Sequence, residues 1–503
     1  MTAADAPVRP VPPRAGGSGR TRLTLPGRLL RLEARRNAMM WMLPLVAGLF
    51  WLDAYSKSND IGPDYLGVIL QHHVFMDIGP FAAGAAAWAG SRDGRRGTAD
   101  LISVTARPRW SGRLATWAAT AGWAIVALAG CVAVLYASTA GQLGGWGLAQ
   151  GWWVAVCGAG VLMCTALGFA AGSFFPSRFT APLTAACVFF AVPATFSAGY
   201  DATGGYALIS PVDAPFQPGV FYPYLPDLSI AQVLFLAGLT VALLGALGLP
   251  AAGGGRWLRL TAAVVTVIGL ATAGTAFGLA GTARLGTYGV DIPALHDAAA
   301  DRPIAYTPVC TGGATKICVH PGYQTIAPGV TTALGPLLAE TAGLPGVPVR
   351  VNQVAIPLSP QATFLNASVS GSPTQLDLPL YWFTTDGPVT TDLISQIQVQ
   401  AGPAIVDSII DPAAADNGTF GGDQAQQAVE AALLEAAGMP LVAPNSAVAQ
   451  AGWPPRIIGP APGTPVYAAA ERFEALPAAA RDAWLAANLT ALKAGRITLA
   501  ELT

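Results

Sequence analysis

The sequence predicts an α-helical polytopic membrane protein of about seven spans, followed by an extracellular α+β domain. Three observations predict it. Charged residues make up only 11% of the 503-residue chain, and its mean hydropathy is +0.48, whereas soluble domains carry about 25% charge. Seven apolar segments fall between residues 38 and 282, each near the roughly 20 residues that a span requires. Beyond residue 283 the pattern changes to short apolar runs and polar-faced helices.

Residues 1–24 are rich in Pro, Gly and Arg; they read as a disordered cytoplasmic tail. They are not expected to be a cleavable signal peptide, since the first apolar core comes late and no small-residue cleavage site follows it. Residues 25–37 (LPGRLLRLEARRN) place Leu29, Leu32 and Ala34 on one face, with Arg28, Arg31, Arg35 and Arg36 around them. That pattern predicts a short basic amphipathic helix on the inner membrane surface; its plainer alternative is the lead-in to the first span. The spans follow at about Ala38 to Tyr55, Tyr65 to Gly90, Leu114 to Ala140, Trp152 to Phe175, Phe179 to Ala198, Leu228 to Pro250 and Trp257 to Thr282. Pro44, Pro182 and Pro193 lie inside spans, where neighbouring helices can satisfy the freed carbonyls.

Arginine placement sets the expected orientation, because basic residues near span ends collect on the cytoplasmic side. The stretch Ser91 to Arg113 holds six arginines between two apolar runs. With the basic N-terminal tail, the turn at Arg178 and the turn at Arg256 and Arg259, it is assigned to the inside. The alternate loops, 56–64, 141–151 and 199–227, contain one basic residue, Lys57, and are assigned to the outside. Seven spans then leave residues 283–503 extracellular. The 199–227 loop carries Tyr200, Tyr206, Phe216, Phe221, Tyr222 and Tyr224 with five prolines. It is expected to form interfacial or re-entrant pieces, or else a plain loop.

The C-terminal region is long enough for its own core. Residues 347–357, 362–369, 375–383, 393–399 and 404–410 read as short strands. Asp423 to Gly438 reads as a helix with an acidic cap and a Gly-Met-Pro stop. Pro477 to Gly495 reads as another, with Pro at its first turn and Gly at its end.

Candidate chemistry is sparse. The chain has no G-x-x-x-x-G-K-[ST] phosphate loop, no H-E-x-x-H and no G-x-S-x-G, so no catalytic residues are assigned and no nucleotide or metal cofactor is expected on this chain. A net charge of −1 gives no sign of a nucleic-acid partner. Cys131, Cys157, Cys164 and Cys187 lie in apolar runs and read as buried small hydrophobes. Cys310 and Cys318 lie in polar sequence and are expected to form a disulfide outside the cell; with His320 they could instead be pictured as three metal ligands. In the second span, Gln71-His72-His73-Val74-Phe75-Met76-Asp77 is the one strongly polar cluster. His73 and Asp77, a turn apart, could pair and line a substrate cavity, or the cluster could sit wet at the outer rim. In the arginine loop, residues 97–105 suggest a short helix with Thr98 as cap and Asp100 in its first turn.

Three stretches carry a family resemblance. They are the basic segment Arg28 to Asn37, the R-R-G-T-A-D-L-I-S-V-T-A-R-P-R-W run after the second span, and the long loop between spans five and six. Together they resemble the permease subunits of type-2 ATP-binding-cassette exporters, actinobacterial ones in particular. The likeness covers about Arg28 to Pro250. It implies a six-span permease domain over 38–250, with a seventh span at 251–282 and the extracellular domain at 283–503 as additions. The C-V-H-P-G-Y segment and the W-L-A-A-N-L-T-A-L-K-A-G-R-I-T-L ending look like tails on some such permeases. The resemblance implies a separate ATPase subunit, in two copies, holding ATP and Mg. It also implies a second permease chain, either identical or related. The loop after span two would be a coupling helix, with Arg95, Arg96, Gly97, Thr98, Asp100 and Leu101 contacting the ATPase. Asp100 stands where these permeases often have Glu. The implied function is export of an amphipathic drug, peptide or lipid-like substrate. The rival readings are a membrane-anchored binding or sensory protein and a surface hydrolase.

Overall fold

The computed structural model describes residues 25–57, 66–97, 109–139, 151–199, 208, 211, 220–251, 255–286, 289–345, 347–355, 375–378, 391–410, 422–439, 441–444, 446 and 457–502. Helix α1 (Leu25–Arg35) precedes α2 (Ala38–Lys57). The hinge between them is held by Asn37, whose buried side chain accepts from Met39 N–H at 2.9 Å and donates to Thr120 Oγ1 at 2.8 Å. The next helical run has three parts: α3 (Leu66–His73), a π-turn (Val74–Ile78) and α4 (Gly79–Gly90). The π-turn has a local cause. Pro80 has no N–H to give the carbonyl four residues back, and Gly79 N–H reaches Val74 O, five residues back, so the register widens ahead of the proline.

A one-turn helix, α5 (Arg92–Arg95), follows, then α6 (Arg109–Thr139), α7 (Gly151–Phe174), α8 (Thr180–Gly199), α9 (Asp227–Ala246), α10 (Gly248–Ala251) and α11 (Arg256–Ala280). Among the described residues, four helices are long and apolar enough to cross a membrane: Arg109–Ala137, Gly151–Phe174, Asp227–Pro250 and Arg256–Ala280. Ala38–Leu52 and Thr180–Val192 are shorter apolar helices. This is the make-up of a helical membrane protein.

Small residues set the closest helix contacts, as they do where lipid gives no hydrophobic drive between helices. A Cβ on Gly168 or Gly172 of α7 would lie 2.0 or 2.1 Å from the carbonyl oxygens of Ala83 or Ala87 on α4. Gly238 of α9 and Gly269 of α11 meet the backbone of each other's helix in the same way. The opposite side of α11 exposes Trp257, Val267, Ile268 and Leu270, a face suited to acyl chains. Cys131, Cys157 and Cys164 are buried as expected, but Cys187 is exposed on α8. Its run is apolar because α8 turns that face outward with Leu183 and Phe190.

After α11 comes a hairpin of β1 (Arg284–Gly286) and β2 (Gly289–Asp291). The C-terminal domain follows: β3 (Val309–Thr311), β4 (Lys316–Val319), α12 (Ala327–Glu340), β5 (Arg350–Gln353), β6 (Gln375–Leu378), α13 (Thr391–Ile410), α14 (Gln424–Ala436), β7 (Leu441–Val442), β8 (Ile457–Ile458), α15 (Pro465–Glu474) and α16 (Ala478–Lys493). The sheet order is β3-β4-β5-β6, antiparallel at the first pairing and parallel at the next two. Ile317, Val319, Val351 and Leu376 share one core with Leu334 of α12, Ile405 of α13 and Leu433 of α14.

The expected helices at α14 and α16 are present. Asp423 and Gln426 form a capping box on α14, and Gly438 and Gly495 adopt φ of +72° and +61° just beyond the two helices. Strands β5 and β6 lie within two of the expected runs, while the run at 362–369 lies outside the described residues. The runs 393–399 and 404–410 are a correction: both belong to the single helix α13, which carries Pro403 inside it. Their β-branched residues suggested strands, but Ile397, Ile405, Val406, Ile409 and Ile410 are all buried, and helical spacing delivers them to the core.

The end of the loop ahead of α9 packs on the C-terminal domain. Val220 and Phe221 are buried in its core. Phe221 O accepts from Ile304 N–H at 2.7 Å. Tyr224 stacks edge-on against Trp153 of α7, with ring centroids 5.3 Å apart. Tyr200, Tyr206 and Phe216 lie outside the described residues.

Candidate functional site

Two clusters hold residues that the sequence singles out in the helical half, one at each end of α4. The first straddles the π-turn. Gln71 and His73 are fully buried, and the Asp77 side chain is 17% exposed. Gln71 and His73 therefore lie inside the packed helices, with His72 and Asp77 partly exposed. His73 Nδ1 lies 3.9 Å from Asp77 Oδ2. Phe50 of α2 packs edge-on to the His73 ring at a centroid distance of 6.0 Å, and His72 does so at 5.6 Å. The neighbouring face of the run is fixed by glycine notches. A Cβ on Gly67 would strike the Trp153 ring, and one on Gly160 would strike Phe75. Among the described residues neither polar atom of the Gln71 side chain has a hydrogen-bond partner. Burying such a group uncompensated costs about 1–3 kcal/mol, and unpaired buried groups of this kind concentrate where polar ligands or function intervene. A π-turn carrying an acidic residue is likewise a common mark of a functional site.

The second cluster lies at the other end of α4. Arg92 Nη1 and Nη2 donate to Glu33 Oε2 and Oε1 at 2.9 and 3.0 Å, a two-pronged bridge from α5 to α1. Glu33 also raises the Arg92 pKa above its ordinary value, chiefly through that hydrogen bond and against the effect of burial. Trp123 Nε1 of α6 donates to Ala34 O at 2.8 Å, so α1 is fastened on two sides. Arg95 stacks over the Trp88 ring at 3.5 Å and donates to Trp88 O. Gly94 packs on Pro176 in the turn between α7 and α8, leaving a Cβ only 2.4 Å from Pro176 Cβ. Arg96 is exposed, and Gly97 is exposed with φ of +63° and open space around it. Nearby, Trp110 Nε1 and Arg113 Nη1 donate to Leu244 O and Leu247 O, tying α6 to the end of α9.

Of the residues expected to form the coupling contact, Arg95, Arg96 and Gly97 are placed on this platform. Thr98, Asp100 and Leu101, with the helix expected over 97–105, lie outside the described residues apart from Gly97. The sequence reading missed Glu33. Its one signal is that it is the single acid in the basic segment 25–37.

In the C-terminal domain, Cys310 and Cys318 sit directly opposite on β3 and β4 and are joined in a disulfide, which removes the three-ligand alternative with His320. Among the described residues no group of three or more His, Cys, Asp or Glu is placed to hold a metal ion. No family model matches the chain, and no curated protein or solved structure matches it.

Proposed function

We propose that the chain is the membrane-spanning subunit of an exporter driven by a separate ATPase. The arginine-bearing platform at α1 and α5 faces the cytoplasm and receives the ATPase. The Gln71–His73–Asp77 cluster lines the substrate path, the chain pairs with a second copy or a relative, and the C-terminal domain lies outside the cell. The spans number seven in this reading, with α2, the α3–α4 run and α8 joining the four long helices.

The observation that carries the reading is the construction of the platform. A basic amphipathic helix lying before the first span has no structural need to bridge to the end of the second. Here Glu33 and Arg92 join them with two charge-assisted hydrogen bonds, the stronger kind of polar contact. Gly94 then seats α5 against the α7–α8 turn. A push on this surface is thereby delivered to several spans at once. The resemblance to type-2 permeases supplies the partner: an ATPase holding ATP and Mg, contacted by Arg95, Arg96, Gly97, Thr98, Asp100 and Leu101. The basic character of this end agrees with a cytoplasmic location. The buried amide of Gln71 and the Asp77 carboxylate suit an amphipathic substrate with polar or cationic groups.

The experiment is co-purification with the ATPase and measurement of its turnover in lipid. Arg96→Glu and Asp100→Arg are expected to cut coupled turnover at least tenfold while leaving the melting temperature of the chain unchanged. Undiminished turnover in both, or labelling of Arg96→Cys from outside intact cells, would defeat the proposal.

A further inference from the structure

The junction between the helical half and the C-terminal domain holds a charged bridge that neither cluster above uses. Asp227 is the first residue of α9 and is completely buried. Its Oδ2 accepts from Ile292 N–H at 3.0 Å and lies 3.3 Å from His296 Nδ1. The other ring nitrogen, Nε2, lies 3.2 Å from Asp301 Oδ2. A neutral imidazole has one N–H and one lone pair, so one of the two carboxylates would then face a lone pair. Only the imidazolium donates to both.

The surroundings reinforce that demand. Among the described residues Asp227 Oδ1 is buried without a hydrogen-bond partner, so the charge of this carboxylate leans on the α9 N-terminus, on Ile292 N–H and on His296. An apolar seam of Leu208, Leu228, Ala231, Ala280 and Ile292 flanks the bridge. Among the described residues, the other charged groups on the elements packed there are Asp291 on β2, with Arg284 opposite it on β1, and Asp297 and Arg302 at the ends of the turn that carries Asp301. Asp297 is occupied in accepting from Ala299 N–H. The last turn of α11 contributes no charged residue. Acids outnumber bases around the ring.

The geometry points to a protonation-controlled latch: charged His296 ties Asp227 at the head of α9 to Asp301 of the C-terminal domain, and loss of its proton releases the tie. This inference goes beyond the transport reading and does not depend on it.

The His296 pKa is raised from its ordinary 6.5, first by the hydrogen bond to Asp301; burial opposes this as the next largest effect, and the charges of Asp301 and Asp227 and the hydrogen bond to Asp227 add to the rise. A base with a raised pKa in the closed form contributes fully below 6.5, and that contribution is lost as pH rises through the raised value. The latch is therefore closed below pH 6.5 and opens as pH rises through the raised value.

The test is amide hydrogen exchange on the full-length chain in lipid nanodiscs from pH 5.5 to 9.5, corrected for intrinsic exchange, read on peptides covering 289–302. In the wild type the local opening constant rises by up to tenfold per pH unit between the open and closed pKa values, and is flat outside that window. His296→Gln removes the pH dependence. Asp301→Asn, at a carboxylate that is 56% exposed and so no threat to folding, shrinks the total rise. A flat wild-type profile, or a rise that persists unchanged in both variants, would overturn the latch. Either result leaves the ATPase measurements above untouched.

Discussion

The contact between α4 and α7 offers a direct test of how the bundle is assembled. The perturbation is Gly168→Ala. Its new Cβ would sit 2.0 Å from Ala83 O and 2.7 Å from Ala83 C. Carbon contacts are favourable near 3.5–4.0 Å, so the helices must separate by about 1 Å or more. Overpacking costs about 1–3 kcal/mol. The atoms met here are backbone, which no rotamer change can move, so about 3 kcal/mol is expected. Gly172→Ala, one turn along, meets Ala87 O at 2.1 Å and should cost about as much. Both changes are relieved by the same separation, so the double variant should cost well below the sum. Gly158→Ala on the same helix is the control. Among the described residues it meets nothing within 4 Å, and helix propensity alone predicts a gain of up to about 1 kcal/mol. The assay is equilibrium unfolding in mixed micelles, with the same tryptophan signal for all four variants. If Gly168→Ala and Gly158→Ala unfold at the same midpoint, the close backbone approach is wrong and the packing argument falls. The consequence reaches both clusters, because α4 joins the π-turn at one end to the Arg92 bridge at the other.

Two further outcomes follow from individual groups. A double-mutant cycle with Glu33→Gln and Arg92→Gln should give a coupling of about 1–2 kcal/mol, above the range for exposed pairs because the bridge is two-pronged and mostly covered; a coupling under about 0.3 kcal/mol would make the bridge incidental to α1. His320, buried between Phe221 and Tyr306, has its pKa pushed down from 6.5 to about 4, chiefly by desolvation. The unfolded chain takes up a proton there first, so the domain should lose stability as pH falls from about 6.5 toward 4, and His320→Phe should flatten that part of a denaturation profile.

Much of the helical half was legible because its signals are local. Span ends are written by arginines and prolines, and α2, α3, α6, α7, α8, α9 and α11 begin within about five residues of an expected start, while the short helices α5 and α10 were not expected. The caps of α14 and α16 are equally local, with Asp423 at one and Gly495 at the other. The disulfide was legible from a pair of cysteines isolated in polar sequence. What stayed hidden depends on distant partners. The run 393–410 looks like two strands around Gly402-Pro403, and only burial against α12 and α14 makes it one helix. Asp227 reads as a residue before a span; its partner His296 lies beyond two further helices. Glu33 reads as one acid among arginines until Arg92, far along the chain, is brought beside it.

The placement of Val220 and Phe221 changes how the C-terminal domain must be regarded. By sequence it begins after α11, yet its core includes residues that precede α9. Phe221 is gripped by the His320 and Tyr306 rings and by Ile304 N–H. The domain is thus attached at one end of the α9–α11 pair, where the start of α9 and the end of α11 lie together, through 220–226, the β1–β2 hairpin and the Asp227–His296 bridge. Within the pair, Gly238 and Gly269 allow backbone contact, so the two helices cannot slide freely past each other. On α7, Leu236 of α9 meets Val156 and Ala159. A segment cut at residue 283 would leave the hollow filled by Phe221 exposed, and a linker drawn there would divide one packed core in two.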